Sequence, residues 1–173
     1  MNMLTVCALV CTIVALAGSA DLPETKAESN ETAKTHLVKM SSKCDDGWTQ
    51  FNGRCFSYVA EPMTWDKAEK NCVSLGGHLA SVHNFLEYCR LEKLILITTH
   101  DEKETWIGGT DAQEEGHWIW SDGTTFQYNN WCPGEPNNGG GLQHCLQMNY
   151  SDGKCWDDLS CYEERPSVCA RKM

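Results

Sequence analysis

Residues 131–145 read WCPGEPNNGGGLQHC, and Trp156-Asp157-Asp158 follows close behind them. Taken locally, the first stretch is a turn, because its prolines, glycines and asparagines each favour tight backbone reversal, and Asp157-Asp158 is solvated surface. The side chains offer a second reading. Glu135, Asn137, Gln143, Asp157 and Asp158 present carboxylates mixed with amide carbonyls, and calcium takes several such oxygens at once. His144 stands next to Gln143, but a hard cation prefers oxygen, so the imidazole reads as a surface residue. What decides between turn and site is the frame around the loop.

All seven tryptophans and nine of the eleven cysteines lie from Cys44 onward, which marks residues 44–173 as one packed domain. Thr64 is placed to cap a helix in which Trp65, Ala68, Cys72 and Leu75 share one face, and Gly76-Gly77 stops it. A second helix starts at Asn84, with Glu87 completing a capping box, and runs through Tyr88, Leu91 and Leu94. Beyond it the period changes. Trp106-Ile107, the Trp118/Trp120 alternation before Ser121-Asp122-Gly123, the His144–Met148 run and the Ser167–Ala170 tail predict short strands separated by turns. Two helices followed by several short strands give an α+β domain, with no internal repeat.

Residues 1–20 contain an uncharged apolar run, 4–17, followed by Gly18-Ser19-Ala20, small residues suited to signal-peptidase cleavage. No Lys or Arg precedes the run, a departure from the usual signal pattern, but the run falls short of the ~20 residues of a spanning helix. It reads as a secretory signal, so the mature chain is expected to be secreted and extracellular, without membrane insertion. Removing it leaves nine cysteines, a density that suits an oxidising compartment. Residues 21–43 are polar, mixed in charge and free of aromatics, and are expected to form a flexible leader. Asn30-Glu31-Thr32 is a glycosylation sequon there, and Asn149-Tyr150-Ser151 is a second one inside the domain. The whole formal charge of -10 stays on the mature chain and argues against nucleic acid and anionic membranes as partners.

Cys44 and Cys55 around Gly47-Trp48, a first helix ending in Cys72, Trp106-Ile107-Gly108-Gly109, Glu135-Pro136-Asn137, Cys145, Trp156-Asp157-Asp158, Cys161 and Cys169 come in a specific order and spacing. In that order the chain resembles the C-type lectin-like domain family over essentially all of 44–173. Within the family it is similar to a small secreted fish group that includes ladderlectin-like and lactose-binding lectins and type II antifreeze proteins. The resemblance implies a C-type lectin-like fold: two helices packed on small antiparallel sheets, with a long loop for calcium and ligand. It also implies the pairs Cys44–Cys55, Cys72–Cys169, Cys132–Cys155 and Cys145–Cys161, among which sequence alone does not choose. Cys72–Cys169 encloses most of the domain and contributes about 4–5 kcal/mol in the chain-entropy model. Cys89 is left over, either as a small buried apolar residue or as the site of an intermolecular disulfide that makes a homodimer.

The resemblance assigns the loop as well. It implies a calcium ion held by Glu135, Asn137, Gln143, Asp157 and Asp158, of which Glu135, Asn137, Gln143 and Asp157 also meet a sugar. Gln143 stands where Glu is usual and Asp157 where Asn is usual. The two departures offset each other: the set keeps its three negative charges, and each sugar hydroxyl still meets one acceptor and one donor, Glu135 with Asn137 and Asp157 with Gln143. The Glu-Pro-Asn order implies mannose-type glycans with vicinal equatorial hydroxyls, bound by a protein of innate defence. The same relatives raise an ice-binding antifreeze reading, supported by Cys132–Cys155 and opposed by Ala112 and His144, which stand where those proteins carry one more cysteine pair. A third reading is a partner-protein binder that ignores sugar. No enzyme is expected, because Cys89, the obvious nucleophile candidate, has no sequence-defined base.

Overall fold

The computed structural model describes residues 43–173, so the expected signal segment, the Asn30 sequon and all of the leader but Lys43 lie outside the described residues. Its first elements come before the helices. Asn52 and Gly53 take φ values of 50° and 73°, the left-handed pair that a two-residue hairpin turn requires. They join β1 (Thr49–Phe51) to β2 (Arg54–Met63) in an antiparallel hairpin. Neither strand is among the sequence expectations, which place strands only after the helices. β2 then lies antiparallel along β8 (Arg165–Lys172), with Phe56 opposite Ala170, so the two ends of the domain sit side by side.

The sheet runs in the order β1-β2-β8-β4-β6-β7, where β4 is Thr105–Thr110, β6 is Cys145–Tyr150 and β7 is Cys155–Leu159. Two short strands join it, β3 (His78–Leu79) on β8 and β5 (Ile119–Trp120) on β4. The expected α+β architecture holds, with two differences. The strands form one continuous sheet rather than separate small ones, and β4 runs parallel to β8.

Helix α1 (Trp65–Ser74) follows Thr64, whose backbone is extended at the cap but whose side chain makes no capping bond. Ala68 and Cys72 are buried, whereas Leu75 closes the helix from outside and is exposed. Helix α2 (Phe85–Thr99) is capped as expected at one end of the box: Asn84 Oδ1 accepts the Glu87 N–H at 3.0 Å. The reciprocal bond is displaced by one residue, since the Glu87 carboxylate accepts the N–H of His83 at 2.8 Å. Arg54 lies 3.5 Å from the same carboxylate, so this buried acid is partnered.

Tyr88, Leu91 and Ile95 of α2 enter one core with Ile107, Trp120, Leu146, Met148 and Trp156. Ala68 and Cys72 of α1 enter a second with Leu79, Trp106, Cys145 and Cys169. Each fully buried Leu, Ile or Met contributes about 1.5–3 kcal/mol. Two tryptophans fasten the cores through their indole N–H groups, Trp106 to Met63 O at 3.0 Å and Trp65 to Ile107 O at 2.9 Å. Gly108 and Gly109 are required between them, because a Cβ on Gly108 would stand 2.7 Å from Leu79 O and one on Gly109 2.6 Å from Leu146 Cδ1.

Among the described residues the four expected pairs form: Cys44–Cys55, Cys72–Cys169, Cys132–Cys155 and Cys145–Cys161. The last two clamp the ligand loop at both ends, since Cys132 leads into it and Cys145 leaves it. Cys89 is 1 % exposed in α2, where it packs as a small buried residue.

Candidate metal centre

Strand β7 supplies Asp157 and Asp158 in consecutive positions, and the loop between Cys132 and Cys145 returns Glu135 to them. One oxygen from each of the three carboxylates lies within 4.8 Å of the others. Asp157 and Asp158 are buried, and Glu135, half-buried, has a fully buried Oε2 that meets no hydrogen-bond donor. Leaving a buried acceptor unsatisfied costs about 1–3 kcal/mol, more when it is charged. A divalent cation placed among the three carboxylates removes that penalty and their mutual repulsion, so the donor chemistry fits calcium. Burial and the nearby Asp157 and Asp158 push the Glu135 carboxyl above its usual range, against a hydrogen bond from Asn137. Burial pushes Asp157 up as well.

Asp158 acts as a clasp on the loop. Its Oδ1 accepts the N–H of Asn137 at 2.9 Å and its Oδ2 that of Asn138 at 2.7 Å. The loop backbone is thereby tied to β7 just after the Glu135–Pro136 peptide, which is cis. Gln143 is turned into the loop: its Oε1 accepts the Gly139 N–H, and its own N–H donates to Asn138 Oδ1 at 3.0 Å. The amide expected to work with Asp157 is thus engaged elsewhere in this structure. A Cβ on Gly139 would displace the movable end of the Gln143 side chain.

Two features behind the carboxylates escape the sequence reading. Gln147 Nε2 donates to Asp157 Oδ2 at 2.7 Å, Arg165 Nε donates to Gln147 Oε1 at 3.0 Å, and Arg165 pairs with Glu104 at 3.4 Å. Such outer hydrogen bonds orient a metal-binding carboxylate. The available signal was a glutamine inside the otherwise core-forming start of β6. The second feature is a cluster of Asp111, Glu115 and His144. His144 Nδ1 lies 3.1 Å from Asp111 Oδ1 and 3.4 Å from Glu115 Oε2, so the imidazole is not the solitary surface residue expected. Asn138 joins this cluster to the loop through a bond from its Nδ2 to Glu115.

The second sequon begins at the end of β6. Asn149 is 3 % exposed and its amide donates to Lys103 O at 3.1 Å, so a glycan there would have to break that bond and leave the core edge.

The lectin C-type domain model matches residues 61–171, and the chain belongs to that family. It is 38% identical over 180 residues to ladderlectin from Oncorhynchus mykiss, covering 99% of this chain and 95% of that protein. It is also 38% identical over 135 residues to the galactose-specific lectin nattectin from Thalassophryne nattereri, covering 78% of this chain and 84% of nattectin. Among solved structures, the herring type II antifreeze protein matches with a TM-score of 0.71 and 36% identity over 75% of this chain and 99% of that one. Among the described residues, no helix is long and apolar enough to cross a membrane.

Proposed function

We propose that this chain is a secreted, calcium-dependent carbohydrate-binding protein whose ion sits among Glu135, Asp157 and Asp158. The observation that carries the proposal is the convergence of three carboxylates, one with an orphaned buried oxygen, beneath an exposed loop. Asn137 completes the set from that loop. Gln143 joins it by exchanging its bond to the Gly139 N–H for the ion. A sugar hydroxyl needs an acceptor for its proton and a donor toward its oxygen, and Glu135 with Asn137 supplies both. Their order on either side of Pro136 supports mannose-type ligands with vicinal equatorial hydroxyls, in contrast to the galactose specificity in nattectin's name. An open site buries little area, so a multivalent ligand is the sensitive probe. Retention on immobilised mannan in calcium, and release by chelator, is the expected result. Binding to galactose alone refutes the mannose assignment, and binding that ignores chelator refutes the calcium-dependent site.

Ice binding on the same scaffold is the second reading, favoured by the Cys132–Cys155 staple and the likeness to the herring antifreeze protein. Thermal hysteresis and ice-crystal shaping measure it. A chain that ignores every glycan and reshapes ice replaces the lectin proposal with this one.

A further inference from the structure

We propose that the cleft between β1 and α2 binds a protein partner, through an extended segment with acidic and apolar side chains that adds as a strand to the free edge of β1. β1 ends the sheet, and among the described residues its only strand partner is β2. The Asn52-Gly53 turn fixes which backbone groups are left over. Phe51 and Arg54 flank that turn as a hydrogen-bonded pair, so the next pair, Gln50 with Cys55, is a non-bonded one. The Gln50 N–H and C=O therefore point away from β2, and such outward groups are what an added strand takes.

Beside this edge lies a cleft of about 160 Å³. Phe56 and Leu91 form its buried floor, Phe51 and Leu94 its half-buried walls, and Ile97, 61% exposed, part of its rim. Asn52 Nδ2 donates to Glu87 Oε1 at 3.3 Å, and the Arg90 guanidinium carbon stands 5.0 Å from the centre of the Phe51 ring, so the turn end of β1 meets the start of α2. Ile97 stands about two helical turns beyond Arg90. Side chains alternate along a strand, so a segment running antiparallel to β1 turns the residues on either side of its Gln50 partner into the cleft. The pattern recognised is two apolar residues separated by one of any type.

Charge narrows the partner further. Arg90 and Lys93 flank the cleft, and among the described residues neither is in an ion pair, although the chain carries a formal charge of -10. An acid just before the first apolar residue of the segment comes in at the turn end, where it meets this cationic rim. Two other occupants fit the rim less well. A second copy pairing edge to edge brings two like-charged rims together, which costs free energy. The leader's apolar stretch, Leu37-Val38-Lys39-Met40, offers a lysine and no acid.

Amide NMR of the isotope-labelled full chain reads the site directly, with a blocked peptide of sequence aspartate-glutamate-leucine-threonine-valine-threonine as probe. The peptide should shift the Gln50, Arg90 and Leu94 amides and slow hydrogen exchange at the Gln50 N–H. It should do so equally in calcium and in chelator, so the outcome at the carboxylate centre leaves this one untouched. Lysines in place of the two acids should weaken binding about tenfold, as should N-methylation of the first threonine, which removes a backbone donor and keeps every side chain. Lys93→Glu and Ile97→Glu, both at exposed positions, should each cost about tenfold while Lys93→Arg binds like the parent. No shifts at millimolar peptide, shifts confined to other residues, or binding that survives both N-methylation and the two glutamate substitutions overturn the proposal. A Gln50 N–H already protected without peptide overturns it as well: protection lost on dilution assigns the edge to a second copy, and protection lost in Leu37→Asp assigns it to the leader.

Discussion

Glu135 is the least compensated of the three carboxylates, and that asymmetry sets what each substitution does. Asp158 accepts two loop N–H groups and Asp157 accepts from Gln147, while Glu135 Oε2 has no donor. Glu135→Gln should therefore erase the calcium-induced rise in Tm yet leave the chelated protein as stable as before, or slightly more so, since it also removes repulsion. A large Tm loss in chelator would show that Glu135 is structural instead. One step back, Gln147→Ala frees the Asp157 carboxylate to rotate and should cost calcium affinity roughly 10- to 100-fold by calorimetry. The role of Gln143 is decided by a double-mutant cycle. If it joins the ion beside Asp157, Gln143→Glu and Asp157→Asn each weaken sugar binding and together restore it, with a coupling above about 0.5 kcal/mol. Additive effects would leave Gln143 on Gly139, a loop residue only. The acidic residues of the proposed site are legible in the sequence because family motifs carry them. Gln147 and Arg165 are not, because a residue that orients a ligand obeys no spacing rule and is known only by what the sheet register puts beside it.

Elements differ in the same way. Both helices are readable, since Asn84 and Glu87 announce one and the Ala68–Cys72 face the other, and even there the reciprocal half of the capping box moves to His83. Strands β1 and β2 are not legible although Asn52-Gly53 is a strong hairpin signal, because β1 is only three residues long and shows no alternation of its own. The parallel contact of β4 with β8 has no local signal at all, as it joins residues far apart in the chain. In the loop of the proposed site, a methyl group on Gly139 would push away the end of the Gln143 side chain and stand 3.2 Å from Asn137 Oδ1. Gly139→Ala should change calcium affinity measurably by releasing the Gln143 amide while shifting Tm in chelator by little, because the loop lies outside both cores. Asn84→Ala should do the reverse, lowering stability by about 1 kcal/mol through the lost cap and leaving calcium affinity unchanged.

Across the whole molecule, buried acids tie stability to pH, and calcium at the proposed site would change the sign of part of that dependence. Burial lifts the Glu92 carboxyl from 4.5 to about 7; Tyr88 and Lys154 pull it back and Glu102 adds to the rise. Glu135 and Asp157 are also raised. A carboxyl raised on folding holds its proton more tightly in the native chain than in the unfolded one. Its contribution is full below the unfolded value and is lost as pH climbs through the folded one. Asp122 goes the other way, because bonds from Ser81 and Thr124 and the charge of Arg54 outweigh its burial, but its window lies below that of the raised acids. In chelator, Tm should therefore fall between about pH 5 and 8. Calcium needs Glu135 and Asp157 ionised, so in its presence their share of the fall is replaced by a gain with rising pH, and acid releases the ion. At a hundredfold excess over its dissociation constant the ion stabilises by ~2.7 kcal/mol. Glu92 lies outside the site and keeps its own slope whether calcium is present or not. Glu92→Gln should match the parent Tm near pH 5 and exceed it by a margin that grows toward pH 8, with and without calcium. A margin that stays constant across that range would mean that Glu92 ionises as an ordinary carboxylate and that the pH dependence resides in the metal centre alone.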